Sequence, residues 1–111
     1  MRALVLLAAL STAGAPTPQT RPAPGWYCPI GVGNPISIDV PKRGEGGIDG
    51  MACYGLSFRP GVIRGAKCYG NHFDDEGSPF ETDLFIRDNG DIVHDGVTYR
   101  RYDGPMPCPG S

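Results

Sequence analysis

Large aliphatic side chains are what this sequence has least of. Leu, Ile, Val and Phe total 23 of 111 residues, five of them within the first ten positions, so 18 remain for everything that follows. A chain that short holds one small domain, and so few aliphatics cannot fill the core of a helical bundle or line a large enzyme pocket. Helical periodicity is also missing. No segment places apolar residues at i, i+3, i+4 and i+7 over three turns, and Gly or Pro interrupts most windows of ten. Lysine is limited to Lys42 and Lys67, and the net charge is −2. Phosphate-backbone binding rests on clustered cations, so no nucleic-acid partner is expected.

The usual motifs of chemistry are absent too. There is no Gly-x-Ser-x-Gly, no His-Glu-x-x-His and no Cys-x-x-Cys, and Gly31-x-Gly33 is not followed by a helical pattern. Without Cys-x-x-Cys or Cys-x-x-His spacing the cysteines are not zinc ligands, and no cofactor is expected. No Asn-x-Ser/Thr acceptor occurs either.

What is present begins with the N-terminus. Arg2, the eight-residue apolar run Ala3 to Leu10 and the small residues Ser11 to Ala15 have the layout of a secretory signal peptide. A spanning helix needs about 20 apolar residues, so this run is too short to stay as a membrane anchor. Cleavage after Ala13, Gly14 or Ala15 gives a secreted or periplasmic protein and moves the net charge to −3 as Arg2 is lost. Residues 1–15 are thus expected to be leader, and 16–25, with four prolines, an extended arm. Residues 26–108 should form one β-rich domain and 109–111 a tail.

Strand signals fall at Ile36–Val40, Met51–Phe58, Val62–Tyr69, Phe80–Arg87, Asp91–His94 and Val97–Tyr102. Between them, residues 42–50 read as a flexible loop. Pro60-Gly61 suits a type II turn, while Asn89-Gly90 and Asp95-Gly96 suit two-residue type I′ hairpins. The expected fold is all-β: a small disulfide-stapled antiparallel barrel or sandwich ending in a β-meander.

Four cysteines in an exported chain imply two disulfides, with three connectivities open. A turn at Pro60-Gly61 pairs residues whose numbers sum to 121, which places Cys53 opposite Cys68. That spacing favours Cys53–Cys68 and leaves Cys28–Cys108 to join the ends. The motif Cys-Tyr-Gly-x-x-Phe, at Cys53 and again at Cys68, is a two-copy echo that does not amount to a repeat.

With two-residue turns throughout the meander, Glu81, Asp83, Phe85, Arg87, Ile92, His94, Val97, Tyr99 and Arg101 share one face. The opposite face, with Thr82, Leu84, Ile86, Val93, Thr98 and Arg100, then reads as core. Arg87, His94, Tyr99 and Arg101 become the candidate binding residues. His94, Glu81 and Arg87 could serve as acid, base and anion holder of a small hydrolase working in the manner of a ribonuclease. An ordinary solvated face of cross-strand ion pairs is the simpler reading. His72, Asp74, Asp75 and Glu76 form the candidate metal loop, although it lacks the alternation of a calcium loop.

These features favour an exported binding or interaction module, an inhibitor of an extracytoplasmic enzyme being one form of it, with a protein or cell-envelope component as partner. A small hydrolase and a structural envelope protein without a discrete ligand are the alternatives.

Overall fold

The structure, a computed structural model, describes residues 21–31, 36–70 and 76–109. These form ten strands and no helix: β1 (Gly25–Pro29), β2 (Ile38–Val40), β3 (Gly46–Ile48), β4 (Met51–Tyr54), β5 (Ser57–Arg59), β6 (Val62–Tyr69), β7 (Ser78–Asp83), β8 (Phe85–Ile86), β9 (Ile92–His94) and β10 (Val97–Tyr102). All belong to one antiparallel sheet, ordered β5-β6-β4-β3-β2-β1-β10-β9-β8, with β7 also paired to β6. The signal-peptide reading falls outside the described residues.

The sheet curls into a half-barrel whose two ends are reached by one piece of chain. Residues 78–86 are extended except at Leu84, so β7 lies against β6 at one end of the sheet while β8 lies against β9 at the other. Leu84 makes that bend inside the core. Its side chain is buried, and its N–H donates to the Gly61 carbonyl at 3.0 Å.

Two tyrosines and a disulfide replace the missing aliphatics. The core comprises Tyr27, Ile38, Val40, Ile48, Cys53, Ile63, Cys68, Leu84, Ile92 and Tyr99. Cys53 and Cys68 stand directly opposite each other in β4 and β6 and are bonded, with Cα atoms 4.1 Å apart. Arg59 pairs with Val62 in the same register, and Gly61 supplies the φ of 78° that a type II turn requires at its third position. Cys28 joins Cys108 across a sequence separation of 80. The echoed Cys-Tyr segments therefore lie against one another, and the rings of Tyr54 and Tyr69 meet edge to face at 6.0 Å.

Four sequence expectations are revised. Residues 42–50 contain strand β3, because Asp49 (φ 53°) and Gly50 (φ 79°) form a hairpin turn that joins Ile48 to Met51. The segment 51–58 is split into β4 and β5 at Gly55, where φ is 67°. Residues 21–25 pack on the domain: Pro22 is buried, Arg21 donates to the Pro41 carbonyl at 2.5 Å and its guanidinium lies 4.8 Å over the Phe58 ring.

The fourth revision concerns the turn at Asn89. Ile86 faces Ile92, and Phe85 faces Val93 rather than His94. Arg87 N–H donates to the Asp91 carbonyl and Gly90 N–H to the Arg87 carbonyl, so the loop has three residues, with only Gly90 in the left-handed region. One extra loop residue moves every later side chain to the other face. Leu84 and Ile86 point inward as expected, but Ile92, His94 and Tyr99 join them inside, while Val93, Thr98 and Arg100 face outward. Asp95-Gly96, with both φ positive, is the expected two-residue turn.

Candidate functional site

His94 shows most sharply what that slip did. Its side chain is 3% exposed, so it is not a surface ligand. Nδ1 lies 2.8 Å from the Asp83 carbonyl oxygen and Nε2 lies 2.8 Å from Asp49 Oδ1. A carbonyl oxygen only accepts, so Nδ1 carries a proton; a carboxylate oxygen calls for a second proton on Nε2. The pair thus holds a proton that a free imidazole would lose near neutrality. Burial works against the charged ring. The Asp49 hydrogen bond, the Asp83 carbonyl and the two carboxylates outweigh burial and leave the imidazole above its ordinary value.

The other members of the expected catalytic set do not converge on it. Glu81 is on the outer face of β7, where it accepts from Arg59 at 3.2 Å and lies 4.0 Å from Arg64. Arg87 is exposed at the base of the hairpin loop, with its charge felt by Asp91. Both nitrogens of His94 already face protein acceptors, which leaves no ring position for a substrate. The expected acid, base and anion holder are three separate structural groups.

The binding set divides in the same way. Tyr99 is buried beside His94, with ring centroids 6.4 Å apart. Arg101 sits at the rim, donating through Nε to the Pro24 carbonyl at 2.8 Å and pairing with Asp103 at 2.9 Å. Of the metal candidates, His72, Asp74 and Asp75 lie outside the described residues, and Glu76 is exposed. Among the described residues no group of three His, Cys, Asp or Glu is placed to hold a metal ion.

The face that is open lies on the other side of the sheet. Register pairs run Tyr102–Trp26–Asp39–Gly47–Ala52–Tyr69, one residue from each of β10, β1, β2, β3, β4 and β6. Directly opposed residues share a face, so these six form one outward row, about 24 Å long at ~4.8 Å per strand. Its centre, Gly47 and Ala52, is small. Trp26 is 43% exposed near one end, and Tyr54, 46% exposed, stands beside Tyr69 at the other.

Ala52, Tyr54, Lys67 and Tyr69 line a hollow of about 450 Å³. Glu45 accepts from Tyr54 Oη at 2.9 Å, which fixes the ring and pushes its phenol up. Asp39 in mid-row is also raised, first by burial and then by Glu45. Sequence reasoning did not single out this row. Knowing which aromatics are exposed requires the register of six strands, and only the Asp49-Gly50 signature, the same pattern as Asp95-Gly96, was there to be read.

The chain matches no known protein family, no curated protein and no solved structure.

Proposed function

We propose that this chain is an exported, disulfide-stapled binding module that takes a protein partner on the outer face of its sheet. The observation that carries this reading is the exposure of Trp26 and Tyr54 on one face, at either end of a row with a small-residue floor. Exposed Trp and Tyr offer large contact area with little side-chain entropy to lose, and such residues dominate protein interfaces. Export is supported by the leader-like residues 1–15, and the two disulfides are compatible with an oxidising extracytoplasmic compartment. The hydrolase alternative is disfavoured by the burial and double engagement of His94.

The test uses the oxidised domain, immobilised and exposed to an extracytoplasmic fraction, with the doubly substituted Trp26→Ala/Tyr54→Ala protein as control. One stoichiometric protein should be captured by the parent and bound about 30-fold more weakly by the variant, as expected for losing a hot spot. Equal capture by a variant that retains its far-UV spectrum would overturn the assignment of the face. Turnover of RNA that disappears in His94→Ala would favour the hydrolase instead.

A further inference from the structure

The His94–Asp49 contact joins parts of the sheet that the strand order keeps apart. Asp49 belongs to the β3–β4 turn and His94 ends β9, with β2, β1 and β10 between them along the sheet. The contact therefore links the β3–β4 turn to β9 across the curl of the sheet. We propose that it is a proton-operated latch, which holds the β3–β4 turn against β9 while the imidazole carries two protons and releases it when one is lost.

The reasoning is hydrogen-bond chemistry. Asp83 supplies a carbonyl at 2.8 Å from Nδ1, and its Oδ1 is 3.6 Å from the same nitrogen. Nδ1 is thus committed as a donor. A ring with a single proton then turns the lone pair of Nε2 toward Asp49 Oδ1, and attraction becomes repulsion.

The remaining surroundings come from the neighbouring hairpin. From β9–β10, Asp95 donates its backbone N–H to the Asp83 carboxylate at 3.0 Å, and from β10 the Tyr99 ring packs beside the imidazole. Two carboxylates, those of Asp49 and Asp83, and a phenol thus surround one imidazolium.

The turn is the side that yields. His94 is fixed in the core, whereas the Asp49 side chain is 42% exposed at the tip of a two-residue hairpin. Its release would uncover Ile48 and the edge of the imidazole without breaking the disulfides. Because the folded imidazole sits above its ordinary value, the latch is fully closed below about pH 6.5 and opens as pH rises through the folded value.

Ring-carbon NMR of His94, with amide hydrogen exchange at Ile48 and Met51, tests this between pH 5 and 9. After correction for intrinsic pH dependence, exchange at these two amides should rise about tenfold or more as the ring titrates, while Ile63 stays protected. Asp49→Asn separates the latch from a merely structural contact. An Asn amide can accept from a protonated Nε2 or donate to a neutral one, and Asn tolerates the positive φ of this turn. The variant should keep Ile48 and Met51 protected at every pH. Protection in the parent that is unchanged through the His94 titration would overturn the latch. So would an Asp49→Asn protein whose turn is open across the whole range.

Discussion

Cys53 and Cys68 occupy one antiparallel register pair, and the count that aligns them, starting at the Pro60-Gly61 turn, also aligns Arg59 with Val62. The short staple therefore locks a hairpin whose local sequence already specifies it. The Cys28–Cys108 staple joins β1 to a tail that no strand pairing holds.

Loop lengths rank the two bridges. In the chain-entropy model a separation of 15 is worth about 3 kcal/mol and one of 80 about 4.5 kcal/mol. Against a typical total of 5–15 kcal/mol, losing both leaves little, so full reduction should unfold the domain. Urea midpoints of Cys28→Ala/Cys108→Ala and Cys53→Ala/Cys68→Ala proteins check the order. A reduced protein that kept its melting midpoint would contradict the role assigned to the staples.

Adjacent glycines in β3 provide a second check. A Cβ at Gly46 would lie 2.5 Å from Leu56 Cδ1 and 2.7 Å from the Asp39 carbonyl oxygen, which cannot move aside. At Gly47 the nearest atom would be 3.6 Å away. Gly46→Ala should lose about 1–3 kcal/mol to overpacking, while Gly47→Ala should be neutral or gain up to about 1 kcal/mol by restricting the unfolded chain. Chemical denaturation of the two variants reads the difference directly.

Asp91 governs the acid side. Its carboxylate accepts from Arg100 Nε at 3.0 Å and Nη2 at 2.9 Å, and from Asn89 at 3.2 Å. The Arg100 hydrogen bonds, helped by Asn89, hold it below the ordinary carboxylate value despite burial. The unfolded chain then takes up the proton first, so this stabilisation is complete above about pH 3.9 and fades as pH falls through the folded value. Asp91→Asn should melt a few degrees below the parent at pH 7, and the gap should close in strong acid. A gap independent of pH would place the effect elsewhere.

Much of the fold was legible because its signals are local. Asp95-Gly96 is a type I′ turn wherever it sits between strands, and the spacing of Cys53 and Cys68 about Pro60-Gly61 fixed a pairing. The candidate site was not legible. A period-two pattern fits either face equally well, and a three-residue loop at Asn89 instead of a two-residue one reverses the choice. The longer loop turns His94 away from Arg87, and the bend at Leu84, which sends β7 and β8 to opposite ends of the sheet, separates Glu81 from both.

By itself, then, the sequence determined an all-β domain with two staples, through turn residues whose φ preferences act locally and cysteines whose spacing suits a hairpin. Tertiary structure decided what lies inside. Curling of the sheet brought Asp49 to His94 across 45 residues and left Trp26 and Tyr54 outside. That outcome follows from the summed register of many strands, which no short stretch of sequence encodes.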